Sequence, residues 1–417
     1  MQLIVSSEEL WSFLNHSEKI VYGCACEWEG ERVARAFITP PAHAFGHSTR
    51  CMFFRPPLDL DTTRPPEDVE YFIGVYDDGS VKAMHKTGKT CEGVTSVTYI
   101  PQKIDLYSRS KGILEVDVLK DKRVVIIGLG SFGSHVAVEL AKSGVGRFSL
   151  WDFDRVELHN LMRHSCGIND LGRLKTDAIK DCILGKNPYA SVDLFPCDIT
   201  QNIERLAGEI DSSDLVICTT DNQKSRNLLA RMLQKHLKEC LYAFAITRAE
   251  GGAVFRQKPR GACFNCLVEN GFIEPSSEEI TNEESARRDG RVPAYASAED
   301  ADAVVQVGLS SDIEPLCNLL EKLALISLSH GRESGISCLE SELTDNLYFW
   351  ANRRERFFAG WGPLPYPQGK PTILRWYGAE VPKCDTCAIC GNAIHELGAG
   401  YEGAAKPISD VEFDLDL

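Results

Sequence analysis

The 417-residue chain has no apolar run approaching the roughly 20 residues that a membrane-crossing helix needs, so nothing in it predicts a membrane span. A basic leader is missing too. The N-terminus, MQLIVSSEELWSF, places acids where a secretory signal would carry basic residues and a longer apolar stretch, and a cytoplasmic protein is expected. Positive charge is in deficit: 45 Lys and Arg stand against 60 Asp and Glu, a net charge of −15. That weighs against nucleic-acid partners, whose phosphates are neutralised by Lys and Arg. No internal repeat is present. The remaining composition, 43% hydrophobic and 25% charged, is that of a globular chain long enough for two or three domains.

Cysteine, by contrast, is plentiful at 16 residues. In a cytoplasmic chain this suggests free thiols and a metal site rather than disulfides. Most of these cysteines are isolated and read as small buried apolar residues. Four fall in two pairs, Cys263-Phe-Asn-Cys266 and Cys387-Ala-Ile-Cys390-Gly. Such knuckles suit a closed tetrahedral zinc site. Cys384, in CDTCAIC, leaves the register of the second pair open, and the glycine after Cys390 favours Cys387 and Cys390. Four thiolates would leave no open position on the metal, so the expected zinc is structural.

Residues 1–105 read as a separate α+β or mostly β module. KIVYGCAC and ERVARAFIT look like strands, and VEYFIGVYDDGSVKAMH looks like a hairpin turning at Asp78-Gly79. PPAHAFGHSTR and FRPPLDLDTTRPPED read as connections, and His43, His47 and His85 lack metal-ligand spacing. From about residue 106 the pattern changes. Strands are predicted at 124–128, 147–152, 191–197, 214–220 and 241–246, with helices at 131–144, 174–184, 200–209 and 222–238. This alternation predicts an α/β domain over 106–393 with a mainly parallel sheet covered on both faces. A long helix is predicted over SSDIEPLCNLLEKLALISLSHG, and the charged stretch PSSEEITNEESARRDGR before it reads as a loop. NLYFWANRRERFFAGW reads as a helix with its aromatic face on the core and Arg353 and Arg354 outside. Residues 394–417 form an acidic tail expected to be flexible.

The chemistry concentrates in VVIIGLGSFGSHVAVELAKSGVGRFSLWDFDRVELHNLMRH. Gly128 permits a tight turn, Gly130 lets backbone approach a phosphate, and Gly133 lets helix and strand pack closely. Asp152, at the end of the second strand, is placed to accept ribose hydroxyls. A dehydrogenase needs little more. Here, however, Asp154, Asn160 and Arg163 follow, Lys175 opens the next helix region in GRLKTDA, and Asp221 follows the fourth strand in CTTDN. All lie at the carboxyl edge of the predicted sheet. Arg and Lys there can clamp a triphosphate, and Asp221, with Asp154 as a further candidate, can hold magnesium. Hydride transfer has no use for such a clamp; attack at an α-phosphate does.

Taken together, these motifs resemble the adenylation domain of the ThiF-type adenylyltransferases, the ubiquitin-activating enzyme superfamily, over roughly residues 106–392. The resemblance implies a Rossmann-like adenylation fold and the use of Mg-ATP to adenylate the C-terminal carboxylate of a ubiquitin-like carrier protein, usually one ending in Gly-Gly. It implies that Gly128, Gly130 and Gly133 form the nucleotide loop, and that Asp152 takes the ribose. Asn160, Arg163 and Lys175 would contact phosphates, and Asp221 would hold magnesium. It further implies a homodimer in which Arg109, in LYSRSKGIL, is an arginine finger reaching the partner's ATP. A conjugating enzyme is a further implied partner. Two departures stand out. His164 follows Arg163 where the family usually has Gln. No cysteine occurs from Leu267 to Leu316, where many members carry a thiol that accepts the activated carrier. Either the chain only adenylates, or a thiol elsewhere serves, Cys317 and the better-exposed Cys338 being nearest in sequence, or the nucleophile has been replaced. The rival readings are an enzyme modifying a peptide C-terminus without a thioester step, a tRNA-modifying dehydratase, an idle adenylation-fold scaffold, and an NAD oxidoreductase.

Overall fold

A computed structural model describes residues 1–28, 30–39, 46–57, 65–100, 106–246, 249–273, 308–353 and 373–391. The chain divides into two compact units, Met1–Arg109 and Ser110–Leu417. Arg109 therefore closes the first unit, although its motif was expected to belong to the second. His43, Arg354, the charged stretch expected to form a loop and the acidic tail lie outside the described residues.

Among its described residues the first unit holds the helix α1 (Ser7–Asn15) and an eight-stranded sheet in the order β7-β6-β5-β4-β2-β3-β1-β8. Its strands are β1 (Gln2–Ser6), β2 (Ile20–Glu27), β3 (Val33–Phe37), β4 (His47–Phe54), β5 (Val69–Val75), β6 (Val81–Thr87), β7 (Thr90–Gly93) and β8 (Ser96–Ile100). Ser6 caps α1 by accepting the Glu9 N–H, and α1 buries Leu10 and Phe13 in the same core as Leu3, Val5, Phe53 and Ile73. The hairpin β5–β6 forms as its sequence predicts: Gly79, at φ +79°, donates its N–H to the Tyr76 carbonyl. His47, placed by sequence in a connection, instead begins β4. That strand pairs with β2 along its length and supplies the buried residues Cys51, Met52 and Phe53.

The second unit is a three-layer α/β structure. Five strands run parallel in the order β11-β10-β9-β12-β13: β9 (Arg123–Ile127), β10 (Arg147–Trp151), β11 (Ser191–Phe195), β12 (Leu215–Cys218) and β13 (Cys240–Ala245). The antiparallel strands β14 (Gly251–Gln257), β15 (Leu347–Ala351) and β16 (Arg375–Ala379) extend the sheet beyond β13. The helices among the described residues are α2 (Val116–Leu119), α3 (Ser131–Ser143), α4 (Lys175–Lys186), α5 (Ile203–Ser212), α6 (Gln223–His236), α7 (Phe264–Glu269), α8 (Ser310–Ser329) and α9 (Cys338–Glu342). One face of the sheet is covered by α3, α4 and α8 and the other by α5, α6 and α7, each with its own buried cluster. The central strands β9 and β12 are buried along nearly their whole length, which is why they read as continuous Val/Ile runs.

One element differs from expectation. Residues 347–351 were read as the start of a helix, and they form β15 instead. Tyr, Phe and Trp suit a pleated strand, and antiparallel partners on both sides, β14 and β16, take up its backbone hydrogen bonds. No helix among the described residues is long and apolar enough to cross a membrane.

Candidate functional site

The strand order reverses between β9 and β12, and a cavity of about 300 Å³ opens there over the carboxyl ends of β9, β10, β12 and β13. Its walls include Gly128, Gly130, Asp152, Asp154, Asn160, Arg163, Lys175 and Asp221. Residues spread over nearly a hundred positions of sequence thus meet in one place.

The three glycines do separate jobs. Gly128 sits at φ +86°, and a Cβ there would come within 3.0 Å of the Thr219–Thr220 backbone. A Cβ on Gly133 would lie 1.9 Å from the Gly128 carbonyl oxygen, so only glycine lets α3 start so close to the loop. Around Gly130 the space is open: a Cβ would meet nothing within 4 Å. That room lies beside the N-terminus of α3, which has no side-chain cap. Such a helix end favours an anion. Thr219 locks the turn by donating its hydroxyl to the Gly128 carbonyl at 2.7 Å.

Asp152 ties this loop to the end of β10. Its two carboxylate oxygens accept the N–H groups of Leu129 (2.6 Å) and Asp154 (2.8 Å). Burial pushes its carboxyl pKa upward, against the opposing pull of Lys175 and these two N–H groups. Lys175, 8% exposed, donates to Asp154 at 2.8 Å. Burial works to lower the Lys175 pKa, but the carboxylates of Asp152 and Asp154 outweigh it and hold the ammonium above its ordinary range. Asn160 accepts the Glu157 N–H at 3.0 Å through its side-chain oxygen, so what it can offer a ligand is its NH2 group. Arg163 is buried in the wall, whereas Asp221 is exposed at the rim. Asp154, which also accepts from Lys175, and Asp221 both present exposed carboxylates that could hold a hard cation.

His164 is more than a tolerated replacement. Its Nε2 lies 2.7 Å from the Leu129 carbonyl oxygen and its Nδ1 accepts the Cys166 N–H at 3.2 Å. The ring is therefore neutral with its proton on Nε2, and burial pushes its pKa down to about 4. It braces the glycine loop from behind.

The structure does not bring every expected residue to the cavity. Arg109, expected at a partner's ATP rather than at this cavity, lies exposed in a turn of the first unit. Cys338 is exposed at the start of α9, with its thiol on the Gly335 carbonyl, and is not part of the cavity wall. Cys317 is on the buried face of α8, and burial pushes its thiol pKa well above the ordinary range. Cys197, just after β11, does line the cavity; sequence reasoning placed it at the end of a strand and passed over it because an isolated cysteine carries no pattern. Arg226 was missed for a similar reason: an arginine in an amphipathic helix reads as surface, yet this one is 3% exposed and part of the wall.

A second centre lies on the α7 face of the sheet. Cys263, Cys266, Cys387 and Cys390 are all buried, with their sulfurs within 4.8 Å of one another. Individual separations are 3.9 Å (Cys263–Cys266), 3.6 Å (Cys263–Cys387) and 3.3 Å (Cys266–Cys390). A tetrahedral zinc with Zn–S bonds of about 2.3 Å would set its sulfurs about 3.8 Å apart, so the cluster fits the ion. Of the two possible registers, it is Cys387 and Cys390 that lie in the cluster. Cys384 sits outside the cluster against Thr386. Gly391 is required by the knuckle, because a Cβ there would strike the carbonyl oxygens of Asp385 and Cys387 at 2.4 and 2.6 Å.

Fold and cavity define a doubly wound α/β protein with its ligand site at the switch point of the sheet. The model of the ThiF family matches residues 107–331, just over half the chain, and the chain belongs to that family. Among curated relatives, it is 35% identical over 153 residues to the molybdopterin-synthase adenylyltransferase of Escherichia coli, covering 36% of this chain and 60% of that protein. It is 32% identical over 167 residues to the protein y4oA of Sinorhizobium fredii, covering 36% of this chain and 28% of that one. The chain thus spans less than two thirds of either relative's length. A solved structure of Escherichia coli MccB with ATP aligns over 66% of this chain and 68% of its own, at 18% identity and a TM-score of 0.46.

Proposed function

We propose that this chain is an ATP-dependent adenylyltransferase acting on the C-terminal carboxylate of a protein or peptide partner, with a ubiquitin-like protein ending in Gly-Gly as the first candidate. The observation that carries the reading is the gathering of Asp152, Asn160, Arg163, Lys175 and Asp221 around one glycine loop. Membership of the ThiF family supports it, as do relatives named molybdopterin-synthase adenylyltransferase and ubiquitin-like modifier-activating enzyme.

In this reading Asp152 holds the ribose, and the α3 N-terminus, Asn160, Arg163 and Lys175 hold the phosphates. The partner's carboxylate oxygen attacks the α-phosphorus, the bond to the β-phosphate oxygen breaks, and pyrophosphate leaves with the electron pair. The product is a mixed carboxyl–AMP anhydride. Charge grows on the phosphate oxygens as that bond breaks, and Arg163 and Lys175, the latter held in the wall by its ion pair with Asp154, would offset it. Asp221 would hold magnesium, which supplies further charge neutralisation when bound. Zinc on the four cysteines would pin the loop bearing Cys387 and Cys390 to α7. Arg109 would be supplied by a second copy in a homodimer, and residues 1–105 would recognise the partner.

A second reading, adenylation with no thioester on this chain, is favoured by the thiols around the site: Cys338 stands away from the cavity wall, no cysteine occurs between residues 267 and 316, and burial raises the pKa of Cys197, which does line the cavity. ATP–pyrophosphate exchange with Gly-Gly-ending proteins and with short peptides, followed by non-reducing gels, tests both. Absence of exchange with every carboxylate partner, with Mg-ATP bound, would remove the enzyme reading. Exchange without a reducible adduct selects the second.

A further inference from the structure

The buried guanidinium of Arg226 has no place in the reaction as described. It belongs to the second turn of α6, whose N-cap is Asn222, immediately after Asp221. Its Nε and Nη2 both donate to the Thr220 carbonyl, at 2.9 and 2.5 Å. The guanidinium also lies over two aromatic rings, Phe244 at 5.1 Å and Phe264 at 5.4 Å. Phe264 is fully buried and stands between zinc-ligand candidates Cys263 and Cys266.

A second bridge runs alongside. The Phe264 N–H donates to Gln257 Oε1 at 3.2 Å, and Gln257 Nε2 donates to the Ala230 carbonyl, one turn along α6 from Arg226. The cysteine knuckle and α6 are therefore joined through Phe264 both by its ring and by its backbone. Burying a guanidinium is costly, and an aliphatic side chain would fill the same space more cheaply, so retaining the charge calls for a directional role. That direction is set by the Thr220 carbonyl. Holding it fixes the Thr220–Asp221 peptide, and with it the direction in which Asp221 leaves the turn.

We propose that Arg226 is a positioning residue, stacked on Phe264 of the cysteine knuckle, that orients the Thr220–Asp221 turn so that the Asp221 carboxylate meets the magnesium of bound ATP. The inference rests on the reading of Asp221 given above. It assigns the knuckle a task beyond stapling the fold: it supplies the ring against which the orienting arginine rests. Lysine at 226 keeps the charge but loses the planar two-donor grip and the stacking.

The test is calorimetric titration of ATP into the full chain at rising magnesium, with no carboxylate partner present, for the parent, Arg226→Lys and Phe264→Leu, with zinc content and circular dichroism measured on each. The expected result is that ATP binding tightens with magnesium in the parent. The magnesium concentration for half the effect should rise about tenfold in Arg226→Lys, the low end for losing a group that orients a metal ligand. It should rise in Phe264→Leu too, while zinc content stays at the parent level in both and ATP binding without magnesium is unchanged in Phe264→Leu, whose ring lies outside the cavity wall. A magnesium-dependent parent with an unshifted Arg226→Lys overturns the inference alone. ATP binding indifferent to magnesium in the parent overturns the reading of Asp221 and the inference with it. Should Arg226→Lys fail to fold, an unshifted Phe264→Leu is the overturning result.

Discussion

The imidazole of His164 is hydrogen-bonded to the carbonyl of Leu129 at 2.7 Å, so a side chain next to the wall arginine Arg163 supports the backbone of the glycine loop. The proton it donates is one it keeps at neutral pH. Its other nitrogen accepts the Cys166 N–H, and a second proton there would break that bond.

A pH dependence of stability follows. The folded pKa of about 4 lies below the ordinary value of 6.5, so the unfolded chain binds more protons between those limits. Stability should therefore fall as pH drops from about 6.5 to about 4, by up to about 3 kcal/mol from this residue. Thermal melts across this range should show a shallower slope in His164→Gln, which can still donate to Leu129. An identical slope in the two proteins would contradict the assignment.

Two glycine substitutions should separate folding from binding. Gly133→Ala drives a methyl group into the Gly128 carbonyl and should cost about 2–3 kcal/mol of stability, seen as a lowered melting temperature. Gly130→Ala meets no protein atom and should melt like the parent while losing ATP affinity, because its methyl occupies the open space. Equal melting temperatures for both variants would refute this division.

Charge at the cavity should matter to rate more than to folding. Lys175→Ala and Asp221→Asn are each expected to lower pyrophosphate exchange by about 10²–10³-fold, the usual cost of losing one preorganised group facing developing charge. Lys175→Ala also leaves Asp154 without its ion-pair partner, so a modest loss of stability accompanies it. Cys338→Ser should leave exchange at the parent rate, measured under the same conditions, since its thiol is not in the cavity wall.

Metal content should follow geometry. Cys387→Ser should lose zinc and lower the melting temperature, and Cys384→Ser should retain full zinc by elemental analysis. Loss of zinc in both would mean that the second pair is shifted by one cysteine.

Much of the second unit is legible in the sequence because its signals are local. Continuous Val/Ile runs mark β9 and β12, an αL-capable Gly144 ends α3, and the glycine spacing states its own steric reasons. Leu347–Ala351 misleads because a short aromatic run has no usable period, and its antiparallel neighbours decide its state. The first unit shows the same limit at β4, whose pairing with β2 no local pattern announces.

The chain's own order of residues was enough to specify a nucleotide loop, an acid after the second strand and two cysteine pairs, since each rests on neighbours a few positions apart. Tertiary structure alone decided which cysteines meet across 124 residues, that Lys175 spends its charge on Asp154, and that Arg226 is buried against Phe264. These are contacts between elements, and their partners are chosen by packing and by the need to pair every buried charge, which no stretch of sequence carries within itself.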